Sequence, residues 1–448
     1  MGKFDIMYRR FFSVMIVGLA MVAAACAGPE RVNQDSLSGG GFVTLFDGKD
    51  LSGWHGLATM DPRKFEAMDA EAKAKALEKG AEDLKKHWRV EDGVIVNDGQ
   101  GAYLTTDKDY GDVELKVDFK IGPKGDSGVY LRGTPQVQIW DFTEKSYARN
   151  GADKGSGALW NNGRGAPGKD PLVLADKPIG EWNSLRIIMV GERTTVYLND
   201  KLVVDFARWE NFWDRKLPMA ARGPIQLQTH EHPTYWRNIS VREIPPDEAD
   251  KLLAAHGAEG FRTVFSGRDL ADWAGPIENY EVSDGVLKCK PHKGGVIYYN
   301  QELTDFAARV EFKLPPGGNN GLAIRYPGHG DTAYVGMCEL QILDDGHRKY
   351  AGSLDDRQAH GSVYGMVAAK RGYLRPVGQW NFEEVTVKGS KIKVELNGTV
   401  ILDADVSQVK EFMANSPHPG KDRTSGYFGF AGHSDPVEFR NVAIKPLD

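Results

Sequence analysis

Two short runs carry the residues best suited to chemistry. Gly128-Val129-Tyr130-Leu131-Arg132 is followed, across Gly133-Thr134-Pro135, by Gln136-Val137-Gln138-Ile139-Trp140-Asp141. Strand alternation sends Val129, Leu131, Val137 and Ile139 to one face and Tyr130, Arg132, Gln136, Gln138 and Trp140 to the other. A tight Gly-Thr-Pro turn would make Arg132 and Gln136 cross-strand neighbours. Later in the chain the arrangement returns, with Gly321, Ala323 and Arg325 and then Glu339, Gln341 and Leu343 outward. Arg, Gln and aromatic groups on an exposed sheet face suit sugar recognition, because planar donors and acceptors match vicinal hydroxyls and ring faces stack on C–H surfaces. The plainer alternative is a solvated face with incidental polar residues. The return of Arg and Gln in the second run favours the functional reading.

A third run adds to this face. In GPIQLQTH, Ile225 and Leu227 point inward, leaving Gln226, Gln228 and His230 outward. Its later counterpart, GYFGFAGH, keeps His433 but has Gly429 and Ala431 where the glutamines stood. A histidine kept in a fixed frame is a candidate general acid/base, or else a strand cap acting by hydrogen bonding. Trp160 in GALWNN and Tyr364 in GSVYGM hold matching positions, and read either as sugar platforms or as core-edge aromatics.

The elements that position these residues occur twice. GFVTLFDGKDLSGWHG at 41–56 returns as GFRTVFSGRDLADWAG at 260–275, GEWN at 180–183 as GQWN at 378–381, and RNISVREI at 237–244 as RNVAIKPL at 440–447. A period of about two hundred residues is too long for a solenoid repeat or propeller blade, so each copy is a whole domain. The 448 residues are enough for two cores. The first domain is expected over 41–244, a linker with a short helix near Asp247 over 245–259, and the second domain over 260–448.

Strand signals dominate both copies. Val113, Leu115, Val117, Phe119 and Ile121 alternate with Glu114, Lys116, Asp118 and Lys120, and Asn397-Gly398 is a favoured type I′ hairpin dipeptide. Many short alternating strands with regular turns predict an all-β antiparallel sandwich or jelly roll. Residues 61–87, rich in Ala, Lys and Glu, have no counterpart in the second copy and predict surface helices inserted in the first.

With 56 basic and 62 acidic residues mixed along the chain, no basic stripe points to nucleic acid. Arg9-Arg10, the apolar stretch Phe11 to Val22 and Ala23-Ala24-Ala25-Cys26 read as an export signal whose small residues before a cysteine resemble a lipobox over 1–26. Lipid on Cys26, with residues 27–40 as a tether, predicts an exported lipoprotein anchored to a membrane without a spanning helix. Cys289 and Cys338 either form a disulfide or sit apart as buried small apolar residues.

Taken together, FxGxDLxxW at each start, the Gly-Val-Tyr-Leu-Arg then Gln-x-Gln-Ile-x-Asp run, Gly-x-Trp-Asn and the closing His…Arg-Asn-(Ile/Val) resemble the 3-keto-disaccharide hydrolase family, twice over. That resemblance implies two tandem concanavalin A-like, laminin G-like jelly rolls and action on oxidised sugars. It implies removal of the proton on C2 beside a C3 ketone, β-elimination of the C1 substituent, and hydration. By family motif, Arg132 or Arg325 would stabilise the enolate, His230 or His433 would shuttle the proton, and Glu339 is the best-placed carboxylate, with Asp344 close behind. Tyr130, Gln136, Gln138, Trp140, Asp141, Trp160, Gln226, Gln228, Gln341 and Tyr364 would complete the sugar sites. A divalent metal could take the arginine's part, although no spacing demands one. The family often has Glu where this chain has Gln136, so the first copy departs from the pattern. Two competing expectations are a non-catalytic pair of laminin G-like carbohydrate-binding modules, and a structural lipoprotein whose Arg/Gln face is buried against another chain.

Overall fold

The computed structural model describes residues 41–447; the expected export signal, Cys26 and the expected tether over 27–40 lie outside the described residues. Each half of the described chain builds an eight-stranded and a five-stranded antiparallel sheet. In the first half the larger sheet runs, in spatial order, Lys201–Arg208, Arg193–Leu198, Asn183–Val190, Val113–Ile121, Thr234–Glu243, Val94–Asn97 and Trp88–Glu91, with Val43–Thr44 paired to Thr234–Glu243. The smaller sheet runs Trp54–Leu57, Tyr103–Thr106, Gln226–Leu227, Asp126–Leu131 and Thr134–Trp140. The second half repeats both orders strand for strand, its smaller sheet being Trp273–Ala274, Gly294–Tyr299, Tyr427–His433, Asn319–Tyr326 and Cys338–Leu343. The fold is all-β: two tandem concanavalin A-like jelly-roll sandwiches, with a helical insertion in the first.

Alternation explains the layers. In Val113–Ile121 the apolar residues are buried and Lys116, Asp118 and Lys120 are half-buried. Glu114 departs from the pattern: it is fully buried, held by Arg186 at 2.6 Å and Arg242 at 2.7 Å. The second core is built on Phe306, Phe312, Phe428, Phe430 and Phe439, with Phe430 and Phe439 stacked 4.0 Å apart from opposite sheets. Truncating either ring would cost about 3–5 kcal/mol. Cys289 and Cys338 are free and buried, so the small-apolar alternative holds and there is no disulfide between them.

The insertion forms two helices, Pro62–Glu66 and Ala70–His87. Asp61 caps the first through Arg63 N (3.0 Å) and Asp69 the second through Ala72 N (2.8 Å). The long helix lies against the edge strand Trp54–Leu57, where Gly80 and Gly56 bring their backbones together; a Cβ on either would overlap the other's carbonyl.

The helix Pro246–Ala255 connects the halves, burying Ala249, Leu252 and Leu253. The two sandwiches form one compact unit. Asn397 and Gly398 have φ of 50° and 80°, as a type I′ turn requires, and the tip of this hairpin docks on the first sandwich. Glu192 N donates to Gly398 O (2.9 Å), Arg193 forks onto Glu395, Arg375 pairs with Asp250 (2.7 Å), and Tyr373 Oη donates to Met219 O (2.8 Å).

Candidate functional site

Each smaller sheet carries a polar pocket on the face turned away from the core. In the second sandwich His433 ends the strand Tyr427–His433, and Glu339 lies two strands away on Cys338–Leu343. Between them the floor is kept low by Gly321, Ala323, Gly429 and Ala431, so the two side chains meet over the intervening strand, His433 Nε2 lying 3.4 Å from Glu339 Oε1. Glu339 is 3% exposed, and burial pushes its carboxyl above the usual carboxylate range against the opposing pull of His433. The hydrogen bond that the imidazolium donates to Glu339 in turn raises His433 above an ordinary imidazole. Gln341 Nε2 donates to Asn319 Oδ1 (2.6 Å), while Asp331, Tyr334, Tyr350 and Tyr364 stand around this cavity of about 290 Å³. Gln358 Nε2 donates to Tyr364 Oη (3.2 Å) and fixes that ring.

The first pocket, about 430 Å³, is more aromatic. Gln136 stands at the place of Glu339 and donates to Gln138 Oε1; Gln138 Nε2 donates to Asp126 Oδ1 (2.7 Å). His230 Nδ1 lies 3.8 Å from Asp126 Oδ2. Burial pushes the Asp126 carboxyl up, and His230 beside it pulls the other way. Tyr130 packs edge-on against Tyr103 at 5.3 Å, and Gln228 Nε2 reaches both hydroxyls at 3.4 Å. Trp140 is fixed by Nε1 donating to Gly155 O (2.9 Å), Trp213 by Nε1 donating to Gly133 O (3.1 Å), and Trp160 lies under Lys169. Such anchored rings offer flat apolar faces at little entropic cost.

The structure thus brings Tyr130, Gln136, Gln138, Trp140, Trp160, Gln228 and His230 around one cavity and Glu339, Gln341, Tyr364 and His433 around the other. It moves five expected site residues elsewhere. Arg132 and Arg325 are not on the pocket face: the pairing shifts register beside each, and they take φ of 52° and 48° and turn inward. Arg132 then binds Gly111 O (3.1 Å) and Asp112 Oδ1 (2.8 Å). Arg325 binds Thr304 O (2.9 Å), Gly389 O (2.8 Å), Arg423 O (2.9 Å) and Asp305 Oδ1 (2.8 Å). These guanidiniums tie loops together. Asp141 and Asp344 also serve the backbone, accepting from Lys124 N (2.8 Å) and Gly317 N (2.7 Å) at equivalent turns. Gln226 is on the expected face but donates to Thr105 Oγ1 (3.0 Å) and lines a neighbouring cavity beside the insertion.

Asp126, Asp331, Tyr334 and Trp213 were not anticipated. For Asp126 the signal was present, since it precedes Gly128 and Tyr130 in the same alternation; the other three come from segments between the sheet's strands. Among the described residues no group of three or more His, Cys, Asp or Glu side chains forms a metal donor set.

The sequence matches the family described as a 3-keto-alpha-glucoside-1,2-lyase-like domain over residues 41–242 and again over 260–445. A 3-keto-disaccharide hydrolase of Bacteroides thetaiotaomicron is 24% identical over 249 residues, which are 46% of this chain and 85% of that protein. A solved structure from Parabacteroides distasonis, named as a candidate glycosyl hydrolase, shares 26% identity over 42% of this chain and 99% of its own, with a TM-score of 0.38. A carbohydrate-binding module of Bacillus subtilis shares 17% identity over 42% of this chain and 95% of its own, with a TM-score of 0.23.

Proposed function

The chain belongs to the 3-keto-alpha-glucoside-1,2-lyase-like family in both of its sandwiches, and from that premise we propose that it cleaves 3-keto disaccharides or related 3-keto glycosides. The observation that carries this reading is the contact between buried Glu339 and His433 over a polar cavity. A carboxylate held where burial favours its neutral form is a stronger base than one in water. Glu339 takes the proton from C2, whose acidity comes from the neighbouring C3 ketone, and the electron pair becomes the enolate. The enolate then expels the C1 oxygen, and His433, raised by its carboxylate partner, gives that oxygen a proton. Water adds across the resulting C1=C2 bond, its hydroxyl going to C1 and a proton to C2, so the net reaction is hydrolysis.

With Arg325 turned into the fold, the enolate oxygen needs other donors. Tyr334 and Tyr364 present hydroxyls at the cavity wall for that task. Asn319 and Gln341 hold each other and suit recognition of sugar hydroxyls. We also propose that Cys26 carries the lipid that keeps the tandem at a membrane surface.

The test incubates protein lacking residues 1–26 with a 3-keto disaccharide and with the unoxidised parent sugar. Released monosaccharide and enone absorbance are followed. Cleavage of the keto sugar alone, reduced about 10²–10⁴-fold by Glu339→Gln or His433→Gln, is expected. Saturable binding of sugar without cleavage of either would overturn the enzymatic reading in favour of tandem carbohydrate-binding modules.

A further inference from the structure

The two pockets hold their carboxylates in different places. Strand register makes the positions comparable: Asp126 pairs with Trp140 as Asn319 pairs with Leu343, and Gly128 with Gln138 as Gly321 with Gln341. Position by position, the second sandwich has Asn319 and Glu339, and the first has Asp126 and Gln136. One acid has become an amide and one amide an acid. The amide between them keeps its role, Gln341 Nε2 binding Asn319 Oδ1 at 2.6 Å and Gln138 Nε2 binding Asp126 Oδ1 at 2.7 Å.

We infer that Asp126 is the proton acceptor of a second catalytic centre in the first sandwich, with His230 as its partner; this rests on the 3-keto-glycoside reading above. Three observations argue against a purely structural aspartate. The turn before it is held by Asp141, which accepts from Lys124 N (2.8 Å), so Asp126 is not required there. One carboxyl oxygen is engaged by Gln138 while the other is turned to His230, 3.8 Å from Nδ1. The residue also lines the cavity together with Trp140, Trp160 and Trp213.

Moving the acid changes the geometry. Asp126 lies on the strand beside Gln226–Leu227, the strand that leads to His230, whereas Glu339 lies two strands from that of His433, a displacement of about 4.8 Å across a sheet. His230 faces its carboxylate through Nδ1 and His433 through Nε2. The sugar ring must therefore sit differently over the two floors. The wider cavity with its indole walls fits a bulkier, flatter leaving group than the second pocket, where Leu343 replaces Trp140 and Tyr364 replaces Trp160.

The experiment compares mature protein, Asp126→Asn, Glu339→Gln and the double variant on two probes, a 3-keto disaccharide and a nitrophenyl 3-keto-glucoside. Asp126→Asn keeps an oxygen for Gln138, and the thermal midpoint of each variant confirms folding. The expected result is residual turnover in Glu339→Gln, favouring the nitrophenyl probe and following its own pH profile. Adding Asp126→Asn should then lower kcat at least 100-fold with KM little changed. A double variant no slower than Glu339→Gln, or complete loss of both activities in Glu339→Gln alone, overturns the inference while leaving the family reading intact. A mature protein inert towards both probes overturns both.

Discussion

Glu339 can lie over the sheet floor because Gly321, its diagonal neighbour on the adjoining strand, has no side chain: a Cβ there would overlap Cγ, Cδ and Oε1 of the carboxylate arm. Gly128 does the same for Gln136, whose Cδ would meet a Cβ at 2.9 Å. Glycine weakens a strand interior, so its presence in both copies marks a side chain that must fold flat. Gly321→Ala is expected to displace Glu339 from His433 and lower kcat by at least tenfold. Its stability cost is about 1–3 kcal/mol, the usual range for overpacking. Steady-state kinetics together with a thermal midpoint separate the two effects; unchanged kcat would show that the carboxylate has room to spare.

The protonation of Glu339 sets a sign for stability. Its folded-state value lies above the unfolded one, so folding favours the neutral acid and ionisation costs stability. That cost is absent below the unfolded carboxylate range and complete above the folded value. His433, raised by its partner, supports folding below the unfolded imidazole range, and this support is lost as pH rises through its folded value. Glu339→Gln is therefore expected to be more stable than the parent at pH 8, by about 1 kcal/mol, while turning over a 3-keto disaccharide far more slowly. The gain should fade as pH falls through the acid range. Denaturant midpoints at several pH values check this.

Arg325 predicts the opposite division between activity and stability. Its removal takes the side-chain donor from the carbonyls of Thr304, Gly389 and Arg423 and breaks the ion pair with Asp305, leaving that carboxylate only Gly389 N. Arg325→Met is expected to cost about 3 kcal/mol of stability. Molecules that remain folded at low temperature should keep KM close to that of the parent. A raised KM with unchanged stability would return the arginine to the sugar site.

Cys26→Ser addresses the anchor. The protein is expected to move from the membrane fraction to the soluble fraction after export, because a signal without its acylated cysteine leaves no hydrophobic chain to insert. Fractionation and immunoblotting give the answer, and retention in the membrane would refute lipidation at this residue.

Period-two alternation, read twice, was enough to place His230, His433, Gln136 and Glu339 on one face, because regular strands transmit side-chain direction faithfully. It failed at Arg132 and Arg325, where a register shift and positive φ break the period, and nothing in either run marks that break. Asp126 was hidden by the very comparison that exposed the others: its counterpart is Asn319, so a search for retained residues passes over it. Trp213 and Tyr334 stand outside the sheet strands and reach the pockets through tertiary packing, which has no local period to read.

The docking between the sandwiches has a consequence for the history of the chain. Once Glu192 N came to rely on Gly398 O, Arg193 on Glu395 and Tyr373 on Met219 O, neither copy could be deleted without stranding polar groups on the survivor. A duplication that began as redundancy has become a ratchet: the two halves are free to diverge in the pockets they carry, but no longer free to part.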